Sequence, residues 1–298
     1  MNTHDEPPDG NDVDIQRLAD WIGRSETRTD LVTAAPVAAL SATLDRDDPA
    51  PADGDALPPP WHWLYFLPQT LRRDIGADGH AKLGDFLPPV PLPRRMWAGS
   101  QLQFHQPLRI GETATRVSRI DDVKVRSGRT GTLVFVKVRH ELSSASGLAI
   151  TDVHDIVYRE APSPGAPPPA PALAPPDPAW VREIVPDAVL LFRYSALTFN
   201  GHRIHYDHPY VTQVEGYAGL VVHGPLIATL LLDHLRDRLA VQRPDAAIRS
   251  FEFRALGPIV HTERFAVCAD PQPDGRTVRL WARKASGALC MEATATVG

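Results

Sequence analysis

Residues 161–178 read APSPGAPPPAPALAPPDP, with proline at half of the positions. Proline removes a backbone donor and fixes φ, so such a run cannot enter a buried helix or a central strand and acts as a stiff, extended connector. Whatever the chain folds into must therefore be assembled from residues 12–160 and 179–298, with the linker between them. Each part has ordinary domain length. The two parts also echo one another. Phe104-His-Gln-Pro-Leu-Arg-Ile before Gly-Glu-Thr is answered by Phe253-Arg-Ala-Leu-Gly-Pro-Ile-Val before His-Thr-Glu, and each part ends on a Gly-led strand, GLAITDVHDIVY and GALCMEATATV.

Periodicity fills in the elements. In the first part, Ile15, Leu18, Trp21 and Ile22 share a helical face, and Asp30 is placed to cap a second helix over 31–44, although Pro36 falls inside it. Residues 46–60 are a loop by composition, leading into the aromatic block Trp61–Phe66, read as core or interface. Prolines 88, 89, 91 and 93 make 84–112 an extended loop presenting Arg94 and Arg95, apart from an alternating piece at 101–104. Alternation rich in Val, Thr and Ile then predicts strands at 113–120, 132–142 and 148–158, with a hairpin loop at 126–131. In the second part, Leu226, Leu230, Leu231, Leu235 and Leu239 recur at three- and four-residue steps, which predicts a helix over 225–239 with Pro225 in its first turn. Strands are expected at 249–253, 263–269, 277–283 and 288–297. Two copies of a helix followed by an antiparallel sheet make an α+β architecture.

Composition narrows the function. A net charge of −5 lacks the basic surface of a nucleic-acid binder. No apolar run approaches a membrane span, residues 1–12 are expected to be disordered, and the acidic start MNTHDEPPDGNDVD shows no secretory leader, so a cytoplasmic location is expected. The two cysteines, Cys268 and Cys290, imply no disulfide framework.

The densest chemistry lies in residues 192–226, FRYSALTFNGHRIHYDHPYVTQVEGYAGLVVHGPL. Polar crowding of this kind directly before an apolar helix is costly unless the groups are used. His202, His205 and His208 recur at steps of three and on a helix could converge on a metal, but Asn200-Gly201 opens a loop, Pro209 interrupts and no cysteine is near, so no metal is expected.

This stretch, in the form FxALTFNxHxIHYD, together with FLPPxPLPRRMWAGS over 86–100 and the duplicated pattern, resembles the MaoC-like hydratases and dehydratases, in particular the 3-hydroxyacyl-thioester dehydratase type 2 branch and the mesaconyl-C4-CoA and itaconyl-CoA hydratases. The resemblance implies a double hot-dog fold, one helix-wrapped antiparallel sheet per repeat. It implies hydration of a short enoyl-CoA, with a C5 dicarboxylic thioester preferred, coenzyme A entering only as part of the substrate, and no separate cofactor. His205 fills the family's catalytic histidine position. Asn200 stands where the wider group has aspartate.

The reaction needs a base for water, donors for the charge gathering on the thioester oxygen, and a proton for the α-carbon. Imidazole suits the first, so His205 is the expected base, while the Asn200 amide can hold the water but cannot take its proton. Asp207 or a backbone carbonyl is expected to fix the tautomer of His205. His223-Gly224, at the start of the long helix, offers free N–H groups to an oxyanion, and Gly219 or Gly224 would let a thioester approach. Arg94, Arg95, Arg203 and Arg254 are candidates for coenzyme A phosphates or a substrate carboxylate, with Arg203 best placed. The first repeat has no second copy of the Asn200–His205 motif, so it is expected to shape the acyl or coenzyme A pocket. Three rivals stay open: a 3-hydroxyacyl-thioester dehydratase of fatty-acid synthesis, a thioesterase, and a non-catalytic acyl-CoA-binding hot-dog protein. A homodimer is an open expectation.

Overall fold

A computed structural model describes residues 15–128, 131–161 and 170–298. The expected disorder of the N-terminus, the tip of the hairpin at 129–130 and residues 162–169 of the proline-rich linker lie outside the described residues. In chain order the elements are α1 (Ile15–Ala19), β1 (Ser25–Leu31), α2 (Ala34–Thr43), β2 (Arg94–Phe104), β3 (Thr113–Gly128), β4 (Gly131–Ser144) and β5 (Gly147–Arg159). After the linker come β6 (Trp180–Ile184), α3 (Ala188–Leu197), α4 (His208–Gln213), α5 (Gly224–Gln242), β7 (Ile248–Ala255), β8 (Phe265–Pro271), β9 (Thr277–Lys284) and β10 (Leu289–Val297).

The ten strands among the described residues form one antiparallel sheet, ordered β1-β3-β4-β5-β2-β7-β10-β9-β8-β6. Read outward from its centre, each half runs in the same sequence: second strand, fifth, fourth, third, first. The echo seen in the sequence is thus a repeated topology, a strand and a helix followed by four strands. The halves join where Gly99–Gln103 of β2 pairs with Ser250–Arg254 of β7. Gly99 permits that seam, because a Cβ there would lie 2.5 Å from the Phe253 carbonyl oxygen. We expect Gly99→Ala to cost about 2–3 kcal/mol through the forced backbone shift, read as a lowered unfolding midpoint in urea; an unchanged midpoint would show that the seam can open without cost.

The long helix α5 carries the core. Residues 226–235 are buried on every face, including Thr229, Asp233 and His234. A helix apolar nearly all round belongs inside a molecule. One side packs on β7, β8 and β9. From elsewhere in the chain, the indole N–H of Trp61 donates to the Asp233 carboxylate at 3.3 Å.

Three local expectations change. Asp30 does not cap a helix: it lies in β1, and its carboxylate accepts from the N–H of Phe66 at 2.7 Å. The helix begins at Ala34 after the N-cap Thr33, so Pro36 falls in the first turn, where no N–H is needed. Arg94 and Arg95 do not sit in a loop: strand pairing starts directly after the last proline, Pro93, and both open β2.

Candidate active site

Helix α3 is started by Asp187, whose carboxylate accepts from the N–H of Leu190, and it stops at Thr198, whose hydroxyl bonds back to the Tyr194 carbonyl. Phe199 then takes a positive φ of 49° and reverses the chain. Asn200 follows; its side-chain oxygen accepts from the N–H of His202 at 3.0 Å and stiffens the turn into Arg203–His205. Opposing this loop is the hairpin at 75–81. The Asp78 carbonyl accepts from the N–H of Arg203 at 2.9 Å, and Gly79 and Gly201 meet backbone to backbone; a Cβ on Gly79 would overlap the Gly201 carbonyl oxygen. The first repeat therefore clamps the loop of the second.

His205 is buried at 7% exposure, and its Nδ1–H donates to the Val221 carbonyl at 2.7 Å. That bond leaves Nε2 with its lone pair. A backbone carbonyl thus sets the tautomer, while Asp207 caps α4 and pairs with Arg203 at 2.8 Å. Burial lowers the His205 pKa to about 4, with the Val221 bond opposing and the nearby His80 adding to the fall. The ring stacks on His223, with centroids 3.7 Å apart and planes 20° from parallel. His223, fully buried, is the N-cap residue of α5 and meets the Ser195 hydroxyl through Nε2 at 2.8 Å. Gly224 is the first residue of that helix, so its N–H has no acceptor within the helix and points with the positive end of the dipole.

Beside this loop lies a cavity of about 1110 Å³, walled by both repeats. Asn200, Gly201, Tyr206 and Pro225 come from the second, with Trp63 and Trp97 among those from the first. His205 is not among the wall residues, but Asn200, Gly201 and Tyr206 of its own loop are. The aromatic block at 61–66 is both core and wall, since Trp61 is buried at 1% while Trp63 and Phe66 face the cavity.

The remaining sequence candidates separate. Arg95 lines the cavity. Arg94 is taken up by Glu215, donating to its carbonyl at 2.7 Å with the carboxylate 3.5 Å away. Arg203 is held by Asp207 and the Ala77 carbonyl. Arg254 pairs with Glu292 at 2.7 Å and lines a separate depression of about 520 Å³. Gly219 lies against His261, whose ring would be 3.0 Å from a Cβ there, so packing explains that glycine. His202, His205 and His208 do not converge: His208 opens α4 and faces His261 at 6.0 Å. Asp78, His80 and His202 do bring three ligand-type atoms within 4.8 Å of one another, with Asp78 already bonded to His80 at 2.7 Å.

A second polar group went unnoticed in the sequence. The first repeat sends Arg116, His140, Asp152 and His154 into the same cavity. Asp152, 1% exposed, accepts from His62 at 3.2 Å, Trp63 at 2.9 Å, Ser100 at 2.6 Å and His154 at 2.9 Å. Burial pushes its carboxyl up, but the histidines hold it well below the usual range. Strand parity carried a signal for it: in ITDVHDIVY, Asp152 and His154 share a face with Ile150, Ile156 and Tyr158.

Residues 60–261 match the family described as hydroxyacyl-thioester dehydratase type 2. The chain belongs to that family. Mesaconyl-C(4)-CoA hydratase of Chloroflexus aurantiacus is 46% identical over 281 residues, 93% of this chain and 97% of the relative. A MaoC-like dehydratase of Phytophthora capsici superposes with a TM-score of 0.68 at 14% identity, covering 96% of this chain and 97% of that one. A conserved Mycobacterium tuberculosis protein described as a double hot-dog aligns with a TM-score of 0.56 at 15% identity, covering 93% and 96%. The fold is an α+β double hot-dog, and this member of the dehydratase family is a hydro-lyase. No helix among the described residues is long and apolar enough to cross a membrane.

Proposed function

We propose that the chain reversibly hydrates a short dicarboxylic enoyl-CoA, mesaconyl-C4-CoA or itaconyl-CoA, to citramalyl-CoA. The observation that carries the chemistry is the His205 imidazole, neutral and tied through Nδ1–H to Val221, beside the free N-terminus of α5. The substrate class is supported by the likeness to the Chloroflexus hydratase along nearly its whole length.

In the hydration of mesaconyl-C4-CoA, whose double bond is conjugated with the thioester, Nε2 of His205 takes a proton from water as the water oxygen bonds to the β-carbon. The π-electron pair moves toward the thioester oxygen, where the Gly224 N–H and the helix dipole stabilise the charge. The electron pair then returns, and the α-carbon takes a proton from the His205 imidazolium, restoring the neutral ring. Asn200 spends its side-chain oxygen on His202, which leaves its amide N–H groups to hold the attacking water by its oxygen. Arg95, in the cavity wall, is assigned to the coenzyme A part of the substrate.

Purified protein should hydrate mesaconyl-C4-CoA or itaconyl-CoA at least tenfold more efficiently, by kcat/KM, than crotonyl-CoA. The reverse preference would move the assignment to the monoacid dehydratases of the same family. Free coenzyme A released from a saturated acyl-CoA would indicate a thioesterase instead.

A further inference from the structure

We infer that the first repeat contains the subsite for the free carboxylate of the substrate, built from Arg116 with His140 and His154. This rests on the dicarboxylic reading above and deepens it.

Three guanidiniums, those of Arg72, Arg95 and Arg116, reach the cavity among aromatic and apolar groups, and that of Arg116 has to be accounted for. The Arg116 side chain is only 20% exposed, and its Nε is buried without a hydrogen-bond partner. Its nearest carboxylate is Glu26 at 3.7 Å, beyond hydrogen-bond length. Arg94, Arg203 and Arg254, by contrast, each donate a hydrogen bond to a carbonyl or carboxylate of their own surroundings. A half-satisfied buried arginine beside an open cavity is a site still able to take an anion.

The neighbours carry the argument from Arg116 to the reacting centre. The His154 ring stacks on Trp97 at 4.0 Å, and the carbonyl oxygen of Trp97 lies 3.9 Å from where a Cβ on Gly224 would be. His140 meets His154 edge-on at 4.4 Å. On the sheet His140 stands opposite Ser118 of β3, two residues from Arg116 on the same face. Trp97 thus borders both the cluster, through its ring, and the start of α5, through its carbonyl. In a mesaconyl-C4 thioester the free carboxylate sits on the β-carbon, so it must lie close to the Gly224 N–H, where His154 comes first. Asp152 does not repel it strongly, because four donors already engage its charge. Asp152 instead fixes the ring of His154 through Nε2, so that Nδ1 becomes a donor to the bound carboxylate by taking up a proton with it.

Saturated thioesters separate this proposal from catalysis. Succinyl-CoA carries its carboxylate on the β-carbon, and butyryl-CoA has a methyl group there. Dissociation constants of both would be measured for the wild type, Arg116→Gln and His154→Gln, with circular dichroism as the check on folding. We expect wild type to favour succinyl-CoA by about tenfold or more, the scale of one charge-assisted pair. Arg116→Gln should remove that preference and leave butyryl-CoA within threefold. His154→Gln should reduce the same ratio, and it serves as the reading if Arg116→Gln does not fold. Equal weakening of both thioesters, or a wild type indifferent to the carboxylate, overturns the proposal. Wild type that prefers succinyl-CoA but hydrates only crotonyl-CoA would end the substrate reading and keep the subsite. Hydration of mesaconyl-C4-CoA with the binding ratio untouched by either variant would do the opposite.

Discussion

His205→Ala should lower kcat for hydration by about 10³-fold while KM stays within threefold, the loss expected when a positioned base is removed and the oxyanion donors remain. The fold should survive, because the loop around position 205 is held by other bonds: the Asn200 turn, the Asp78–Arg203 backbone pair and the Asp207 cap. His205→Gln is the companion variant, keeping much of the volume against His223 but offering no base. Both should be equally inactive. The wild-type pH profile gives an independent reading. With its pKa brought down to about 4, chiefly by burial, His205 remains an unprotonated base well below the ordinary imidazole range. The acidic limb of kcat/KM should therefore not fall near pH 6.5. A loss of only two- or threefold in His205→Ala would remove the imidazole from the mechanism, whereas a wild type without activity and a variant that binds the thioester as before would favour a binding protein.

Acid should destabilise this protein earlier than carboxylate protonation alone would. Burial lowers the pKa of His62, His80, His140, His202, His205, His223 and His234. For each of them the unfolded chain binds a proton near pH 6.5 while the folded chain refuses it until a lower pH. In that window the unfolded state holds more protons, so stability falls as pH falls. Full refusal is worth about 1.4 kcal/mol per group per pH unit, and even a partial share from several groups reaches several kcal/mol between pH 7 and pH 5. Asp152 adds to the loss in the same direction, but only below the ordinary carboxylate range, since its contribution is lost as pH falls through its own depressed value. We expect the thermal midpoint to drop by about 10 °C or more over that interval. A midpoint independent of pH between 7 and 5 would mean that the buried rings gain protons without resistance.

Much of the architecture could be read without coordinates because it is written in local periodicity. The leucines of 226–239 report a buried helix whatever they pack against, and alternation in 132–142 and 148–158 reports strands of a sheet with one apolar face. The strand Ser25–Leu31 was missed for the same reason in reverse: SETRTDL has no apolar member before its last residue, and only pairing with β3 makes it a strand. The loop from Asn200 to His205 could be picked out because its histidines are adjacent in sequence and resemble one family.

The polar cluster of the first repeat was not legible. Its members are spread from His62 to His154, and only the sheet register brings Ser100, Asp152 and His140 side by side.

The sequence by itself determined the duplication and the long buried helix and singled out His205 as the candidate base, since each depends on residues close together in the chain. Tertiary structure decided which nitrogen of His205 is free, which arginines are already committed, and that Arg116, His140, Asp152 and His154 of the first repeat line the same cavity as Asn200 of the second. Hydrogen bonds and ion pairs between distant segments are chosen by how the sheet aligns, and nothing local in the residues encodes that alignment.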